Sequence, residues 1–353
     1  MRILVLGGGA QGRVIAADLA TALPHAAVDV ADVRRPELPE LPNLRWREAD
    51  CSRADAVAEL LAGYDLGVGA LPARFGMGAM QAALAARRPL VDVSFCAEDP
   101  LALDAEAKRA GVAIVPDAGL APGLSNLVVG RAVAAHGVPE AITIYVGGVA
   151  QDPALPYGYV VTWSLDDLLA EYTRPARIVR GGRPVTVPVF SDPERLTVDG
   201  VGELEAFNSD GLRTLIDTVP GVREMAEKTL RWPGHAAAVQ PLVRDGRFLE
   251  EFRARCTAAE PRDVVAFVVR CRWADGRRQE TVMVDRYDPA TRLTAMARTT
   301  ALTTAVTAQL VAGGGLPRAG VLPLDLVAQD ERAHRFVLAG LAARGVRLRT
   351  VEG

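Results

Sequence analysis

The sequence has few of the features that mark disulfide-rich, metal-binding or membrane proteins. Its four cysteines, Cys51, Cys96, Cys256 and Cys271, are far apart and form no CxxC or Cys/His cluster. We therefore expect neither a disulfide framework nor a metal site, and a reducing cytoplasm is the expected location. No stretch approaches the ~18 apolar residues of a membrane span, and glycines interrupt the short apolar run at the start where a signal peptide would continue. These absences predict a soluble protein without membrane association.

The chain also lacks an excess of charge of either sign. Its 353 residues include 40 basic and 43 acidic ones, for a net charge of −3, and Lys108 and Lys228 are its only lysines. This balance gives no reason to expect nucleic acid or an anionic membrane as a partner. Half the residues are hydrophobic and 24% are charged, as in an ordinary globular protein that is long enough for two domains.

A glycine-rich loop lies between the first predicted strand, RILVLG, and the helical pattern QGRVIAADLATAL. Its sequence, GGGAQG, fits the G-x-G-x-x-G template. The three template glycines allow a tight turn, a close approach of backbone to a pyrophosphate, and helix–strand packing, while free N–H groups at the helix start hold the phosphates. We assign this loop to a dinucleotide through Gly7, Gly9, Ala10, Gln11 and Gly12.

Asp32 ends the second strand pattern, VDVADV, 20 residues after Gly12 (32 − 12). A carboxylate at this distance accepts hydrogen bonds from the ribose hydroxyls of NAD and repels the 2′-phosphate of NADP. Arg34 and Arg35 follow closely and would offset that repulsion. NAD is therefore the expected cofactor, with NADP possible.

Alternating strand and helix patterns continue to about residue 119 and give six strands, which predicts a Rossmann-type, doubly wound parallel sheet. Ligands bind such sheets at the carboxyl ends of the strands. The stretch DAGLAPGLSN (117–126) is where the chain leaves that edge and enters a helix with one apolar face. Seven residues are expected at this edge, the first two near adenine and the others near nicotinamide: Asp50, Cys51, Leu71, Pro72, Ser94, Phe95 and Asp117.

Beyond Gly137 the pattern changes to strands joined by turns, which predicts a second α+β domain built on a mainly antiparallel sheet. Helical patterns return after Arg298. We therefore predict a discontinuous nucleotide-binding domain, residues 1–123 and 300–353, and a domain for substrate binding and dimerisation, residues 124–299.

Several long motifs together resemble one family: DAGLAPGLSN, YVGGVAQDP, TWSLDDLLAEYTRPARIVRGG, LEAFNSDGLRTL, TLRWPGH and TAMARTT. Over essentially its whole length the chain resembles the saccharopine dehydrogenase-like superfamily, and within it the L-lysine 6-dehydrogenases, also called lysine ε-dehydrogenases. The resemblance implies oxidative deamination of the ε-amine of L-lysine with NAD or NADP. The product would be 2-aminoadipate 6-semialdehyde, which cyclises to piperideine-6-carboxylate. It also implies a subunit interface in the second domain, hence a homodimer or higher homo-oligomer.

Glutamate-forming saccharopine reductases typically differ from this chain at three positions. They carry Tyr, Asp and Cys where this chain has Phe95, Ala121 and Val146, which weighs against saccharopine as substrate. Saccharopine or another amino acid of the same superfamily remains an alternative substrate. A further alternative is a protein that senses nucleotides without turnover.

The implied chemistry needs a base, because hydride leaves an amine-bearing carbon only when the nitrogen has a free lone pair. His235 stands at a Pro-Gly turn before a helix, as a histidine facing a cleft would, although capping of that helix is an equal explanation. Asp117 is the competing base. The carboxylate of a free amino-acid substrate is best bound by an arginine, whose forked guanidinium donates two parallel hydrogen bonds.

Strand alternation in EKTLRW puts Glu227, Thr229 and Arg231 on one face. Arg231 is therefore the first candidate for the carboxylate, and Glu203 and Glu205 are open alternatives for the α-ammonium. The remaining predicted substrate contacts are Phe95, Tyr157, Asn208, Arg213 and Arg298.

Overall fold

The computed structural model describes residues 1–316 and 318–353. Its strands, in chain order, are β1 Arg2–Leu6, β2 Ala27–Asp32, β3 Leu44–Glu48, β4 Leu66–Gly69, β5 Leu90–Asp92, β6 Ala113–Val115, β7 Ala141–Ala150, β8 Ala176–Arg180, β9 Arg183–Val187, β10 Glu194–Val198, β11 Gly202–Asn208, β12 Glu224–Arg231, β13 Asp263–Arg272, β14 Arg278–Arg286, β15 Gly320–Val321 and β16 Arg349–Glu352.

The α-helices, in chain order, are α1 Ala10–Ala22, α2 Ala54–Leu61, α3 Gly76–Ala86, α4 Asp104–Ala110, α5 Leu124–His136, α6 Leu165–Thr173, α7 Leu215–Thr218, α8 His235–Arg244, α9 Phe248–Arg255, α10 Ala295–Ala312, α11 Leu324–Val327 and α12 Glu331–Ala343. Short 3₁₀ turns span Ala73–Phe75, Pro100–Leu103 and Pro156–Gly158. Among the described residues, no helix is long and apolar enough to cross a bilayer.

The chain forms two compact units, the first comprising residues 1–131 and 299–345. Its sheet has the order β15-β6-β5-β4-β1-β2-β3, and every pair of neighbouring strands is parallel. The four apolar residues Ile3 to Leu6 of β1 are fully buried, because both faces of a parallel sheet are covered. The predicted doubly wound sheet is confirmed, with β15 as a seventh strand.

The second unit comprises residues 132–298 and 346–353. Its sheet runs β10-β11-β12-β7-β13-β14-β16, and β8 joins β12 to β9. Of the described pairs, β7–β12 is parallel and the others are antiparallel. The predicted mainly antiparallel second sheet is therefore also present.

The turn of the β10–β11 hairpin contacts the end of β14, where the carbonyl of Gly200 accepts a hydrogen bond from Arg286. One apolar cluster joins residues of this hairpin with residues of β13, among them Leu196, Leu204 and Val268. α6, α8 and α9 contribute a second, largely aromatic cluster.

The predicted domain limits differ from the two units at the carboxyl end. Residues 346–353 were expected in the nucleotide-binding domain, but β16 pairs with β14, from Gln279↔Glu352 to Val282↔Arg349. The remaining limits, predicted at 123 and 300, lie at 131 and 299. The difference at the carboxyl end arises because β16 pairs with β14, a strand about 70 residues earlier in the sequence.

A close backbone approach in the first unit yields a stability prediction. A Cβ on Gly130 in α5 would lie 2.1 Å from the carbonyl oxygen of Asp325, whereas a Cβ on Gly78 in α3 would meet its nearest neighbour at 3.7 Å. We expect Gly130→Ala to lower the free energy of unfolding by about 1–3 kcal/mol or more. The control, Gly78→Ala, should raise it by up to about 1 kcal/mol through helix propensity. Urea unfolding followed by circular dichroism tests both, and equal stability of the two variants would contradict the packing argument.

Candidate active site

The glycine-rich loop after β1 is shaped by backbone packing. Gly7 has φ +95°, and a Cβ on Gly12 would lie 1.9 Å from the Gly7 carbonyl oxygen, so neither position accepts a side chain. A Cβ on Gly9 would meet no atom of the described chain within 4 Å. α1 begins at Ala10 and is capped by Gly9, which has no side chain to bind the first N–H groups. The first N–H groups of α1 thus have no capping side chain, as a pyrophosphate site requires.

Asp32, at the end of β2, ties this loop to the sheet. Its Oδ2 accepts from the Gly8 N–H at 2.7 Å and its Oδ1 from the Arg34 N–H at 2.9 Å. Each oxygen keeps a lone pair for a ribose hydroxyl, and the fixed negative charge disfavours a 2′-phosphate. Arg34 and Arg35 are exposed beside it. These residues fit a nicotinamide dinucleotide.

Two predicted adenine contacts follow β3. Burial raises the pKa of the Cys51 thiol to about 11, and the charges of Asp32 and Asp50 act in the same direction. The buried thiol therefore stays protonated and contributes an apolar surface. Asp50 accepts a hydrogen bond from the Ser52 N–H through Oδ1, and hydrogen bonds from the side chain and backbone of Ser52 lower its pKa.

Asp92, at the end of β5, is a buried acid that the sequence analysis missed. Its Oδ1 accepts hydrogen bonds from the N–H and hydroxyl of Ser94, and a Cβ on Gly69 would lie 1.8 Å from its Oδ2. Burial raises its pKa to about 7, against the hydrogen bonds from Ser94. Asp92 therefore fixes the segment that carries Ser94 and Phe95. The signal was a charged residue inside the apolar run LVDV.

The segment after β6 forms the predicted turn. Asp117 is 3% exposed and has φ +52°, and Ala121–Pro122 is a cis peptide bond. Gly123, at φ +132°, has no room for a side chain, because a Cβ would lie 2.1 Å from the Gly119 carbonyl oxygen. Asn126 accepts the Gly123 N–H at 3.0 Å. Asp117 lies at a strand end, as predicted, and its role as base stays a prediction. Leu71 and Pro72 follow β4 and are partly exposed.

In the second unit, Arg231 ends β12 inside a polar network. Its Nε donates to the Tyr172 hydroxyl at 2.6 Å, its Nη2 to Glu171 Oε1 at 3.0 Å and its Nη1 to the Leu230 carbonyl at 2.9 Å. The guanidinium carbon lies 5.2 Å from the centroid of the Tyr159 ring. Arg231 is only 3% exposed. The carboxylate that balances its charge is that of Glu171, a residue that the sequence analysis did not select.

His235 was expected to face a cleft, but it is buried in this network, and its role as a base stays a prediction. It is 3% exposed, its Nδ1 lies 2.7 Å from the Tyr157 carbonyl oxygen and its Nε2 lies 2.8 Å from the Tyr172 hydroxyl. A carbonyl only accepts, so Nδ1 carries the hydrogen and Nε2 accepts from Tyr172. Burial lowers the pKa of His235 to about 3, and the charge of Arg231 adds to the effect. A neutral histidine with both nitrogens bonded orients Tyr172 and, through it, Arg231.

The other predicted substrate contacts in this unit are also held by neighbours. The Asn208 amide donates to Ser191 and Asp192, so it stabilises a loop. The Tyr157 hydroxyl donates to Glu251 at 2.7 Å. Both were predicted to line the substrate pocket. In the structure each is bonded to a neighbouring side chain, with the partners of Asn208 in the loop before β10 and the partner of Tyr157 on α9.

Two arginines complete the predicted set. Arg298 is paired with Asp285 at 3.2 Å and Asp288 at 3.4 Å, so its charge is already balanced within the second unit. Arg213 is 3% exposed and has φ +51°, and its carbonyl accepts from Arg177.

Of the two glutamates considered for the α-ammonium, Glu205 accepts the N–H groups of Gly234 and Ala236 at the start of α8. Glu203 pairs with Arg195 on the surface. The network around Arg231 is thus the polar centre of this unit. Among the described residues no group of three or more metal-ligating side chains exists.

Comparisons with known proteins agree with this two-part architecture. Residues 3–115 match the saccharopine dehydrogenase NADP binding domain, and residues 119–346 match the saccharopine dehydrogenase C-terminal domain. A saccharopine dehydrogenase [NADP(+), L-glutamate-forming] of Pyricularia oryzae is 26% identical over 133 residues, which are 36% of this chain and 30% of that protein. The match thus spans under a third of that relative.

Two solved structures share the fold along the whole chain. Apo saccharopine dehydrogenase (L-Glu forming) from Saccharomyces cerevisiae has a TM-score of 0.77 at 17% identity, covering 100% of this chain and 99% of that one. The homospermidine synthase of Legionella pneumophila in complex with NAD has a TM-score of 0.71 at 11% identity, with coverage of 100% and 91%. At these identities the likeness shows the fold.

The environment of His235 predicts a pH-dependent contribution to stability. Its folded pKa, about 3, lies below the unfolded value of about 6.5. The unfolded state therefore binds more protons below pH 6.5, and this contribution declines as the pH falls, by at most about 1.4 kcal/mol per pH unit. We expect the free energy of unfolding to fall less steeply between pH 7 and pH 5 in His235→Gln than in the wild type. His25→Gln, at an exposed position, is the control and should follow the wild type. Parallel curves for all three proteins would contradict the neutral buried state.

The position of Asp32 predicts the cofactor preference. We expect the wild type to bind NADH more tightly than NADPH. Asp32→Asn keeps an acceptor for the Gly8 N–H and removes the charge, so it should narrow or invert this preference, with Arg34 and Arg35 close by. Fluorescence titration with both reduced cofactors measures the ratio of dissociation constants. A wild type that prefers NADPH would show that Asp32 does not govern the ribose.

Proposed function

The chain belongs to the saccharopine dehydrogenase family of NAD(P)-dependent oxidoreductases, and from this premise we propose that it oxidises the ε-amine of L-lysine with NAD. The product is 2-aminoadipate 6-semialdehyde, which cyclises to piperideine-6-carboxylate. The dinucleotide, bound at the glycine-rich loop, supplies the hydride acceptor. The protein supplies the binding of the amino acid, the exclusion of water and the handling of protons.

The observation that carries the choice of lysine is the apolar character of three positions. Phe95 follows β5, Ala121 precedes the cis proline, and Val146 lies on β7 beside Thr229 of β12. Glutamate-forming reductases typically carry Tyr, Asp and Cys there. Apolar side chains at these positions suit a substrate with a methylene chain such as lysine, since burial contributes about 0.8 kcal/mol per CH₂. Saccharopine brings two further carboxylates, which need partners when they leave water.

The polar network of the second unit supports an amino acid as substrate. Glu171, whose carboxylate lies 3.0 Å from the Arg231 guanidinium, offers a negative charge to an ammonium group of the substrate. Because Arg231 is already bonded to Glu171 and Tyr172, we propose that its role is to hold the Glu171 carboxylate in place. The predicted homodimer or larger homo-oligomer remains a prediction.

Saccharopine is the alternative substrate, which the named relatives favour. A protein that binds the nucleotide without turnover is the second alternative. Steady-state formation of NADH with L-lysine, saccharopine and L-ornithine separates the three possibilities.

We expect oxidation of L-lysine with kcat/KM well above that of saccharopine, and poor oxidation of ornithine because it is one methylene shorter. The assay is best run at alkaline pH, where more of the amine is neutral. NADH absorbance reports the rate, and omission of the amino acid is the control. Faster turnover of saccharopine than of lysine would overturn the assignment, and nucleotide binding with no turnover would indicate the sensing alternative.

A further inference from the structure

Four side chains of the second unit form a continuous chain of oxygen atoms. Thr229 Oγ1 lies 2.7 Å from Glu171 Oε1 and 2.7 Å from Ser209 Oγ, and Ser209 Oγ lies 2.5 Å from Glu227 Oε2. We call this set the oxygen chain: Glu171, Thr229, Ser209 and Glu227. It connects a carboxyl group on α6 with one on β12 through two hydroxyl groups.

Counting hydrogens shows that the oxygen chain shares a proton. Its three contacts need three hydrogens, and each hydroxyl supplies one, whereas an ionised carboxylate supplies none. The third hydrogen must therefore come from a carboxyl group at one end. When both ends are ionised, one contact lacks its hydrogen, and the oxygen chain can accept a proton.

The surroundings place this hydrogen at Glu227 near neutral pH. Burial raises the pKa of Glu227 to about 8, the hydrogen bond from Ser209 opposes the shift, and the charges of Glu171 and Asp210 increase it. The charge of Arg231 acts in the opposite direction. The oxygen chain therefore loses its third hydrogen at mildly alkaline pH.

Neighbouring elements hold these charges in place. Asp210 pairs with Arg174 at 3.6 Å and with Arg177 at 3.7 Å. Arg231 is flanked by the rings of Tyr159 and Tyr172. Burial raises the pKa of both tyrosines, so neither ionises in the range where Glu227 does.

Glu171 is the outward end of the oxygen chain. Its side chain is 16% exposed, whereas Thr229 and Glu227 are each 3% exposed. Its Oε1 accepts from Thr229 and Arg231, and within the described residues its Oε2 makes no hydrogen bond. One carboxylate oxygen therefore faces outward, where a cationic N–H group can donate to it.

We propose that the oxygen chain is the general base of the amine oxidation: Glu171 binds the ammonium group of the substrate and accepts its proton, and Thr229 and Ser209 pass a proton on to Glu227. The inference rests on the proposed function. An N–H bond of the ammonium breaks, its electron pair stays on nitrogen, and an O–H bond forms at Glu171. Glu171 then turns its O–H toward Thr229, and this bond breaks as the hydrogen passes to Thr229 Oγ1. Thr229 passes its own hydrogen to Ser209 Oγ, Ser209 passes its own to Glu227, and the last O–H bond forms there.

The oxygen chain reduces the difference in basicity between a glutamate and the amine that it must deprotonate. A solvated glutamate, with a pKa of about 4.3, is a weak acceptor for the proton of an alkylammonium, with a pKa of about 10.4. An oxygen chain that lacks one hydrogen gains a third hydrogen bond on protonation, so it is the stronger base. The neutral amine it produces has the lone pair that the oxidation requires.

The sharpest test removes the hydroxyl of Thr229 and keeps its shape. At pH 8.5 we expect Thr229→Val to lower kcat/KM for L-lysine about 10- to 100-fold, with the deficit shrinking toward pH 11, where the amine arrives neutral. Thr229→Ser keeps the hydroxyl and should stay within about threefold of the wild type. The control, Thr281→Val, breaks a hydroxyl contact with Thr350 in the same sheet and should leave the pH profile unchanged. Equal profiles for the valine and serine variants at Thr229 would overturn the inference.

A measurement without substrate separates this inference from the proposed function. Infrared difference spectra of the wild type minus Glu227→Gln should show a protonated carboxylic acid at neutral pH that fades at alkaline pH, because the subtraction cancels the band of Asp92, whose pKa is also raised, to about 7. In Thr229→Val the Ser209 hydroxyl is free to stabilise ionised Glu227, so the band should fade at lower pH than in the wild type or Thr229→Ser. The same titration midpoint in all three would overturn the shared proton. A wild type without lysine oxidation but with the expected shift would overturn the proposed function while the shared proton stands.

Discussion

The second unit is organised around a positive charge that is almost completely removed from water. A buried guanidinium is costly unless its charge is balanced and its hydrogen bonds are satisfied. For Arg231 the balance comes from the carboxylate of Glu171 on α6, the hydroxyl of Tyr172 and two flanking aromatic rings. That requirement determines the hydrogen on His235, because Tyr172 must donate to the ring nitrogen once it accepts from Arg231. Another hydrogen bond from Arg231 holds the carboxylate of Glu171, the more exposed end of the oxygen chain.

The first unit depends on a constraint of a different kind, the absence of side chains. The approach of Gly12 to the Gly7 carbonyl brings α1 against the sheet, and Asp32 then binds the loop through the Gly8 N–H. A negative side chain and a set of positive backbone dipoles are thereby held beside each other. The first unit thus offers backbone N–H groups to an anion, whereas the polar groups of the second unit are side chains.

The sequence predicted the sheet of the first unit because its strand and helix periods are local. It missed β15, which is two residues long, and β16, whose partner β14 is distant along the chain. The glycine loop and Asp32 were found because their spacing is fixed by the fold. Strand alternation correctly put Glu227, Thr229 and Arg231 on one face, and all three lie in the network around Glu171.

The burial of His235 was not predicted, because the Pro-Gly turn before it is typical of exposed surface. Burial of the ring is decided by Tyr172, which is 63 residues away in sequence, and by Phe252 on α9. Glu171 and Tyr172 were overlooked for the same reason, since only tertiary packing brings α6 to the end of β12. A buried acid within an apolar run, as at Asp92, was the one local signal that a closer reading could have used.

The pairing of β16 with β14 has a consequence for how the chain folds during synthesis. Until residues 349–352 leave the ribosome, one side of β14 is an open edge with unpaired N–H and C=O groups, the kind of surface at which chains aggregate. The strand that finally covers it carries Arg349 and Glu352 and is exposed along its length. Charged residues on an outermost strand discourage further pairing. The pairing of β16 therefore converts an edge that could aggregate into one that discourages further pairing.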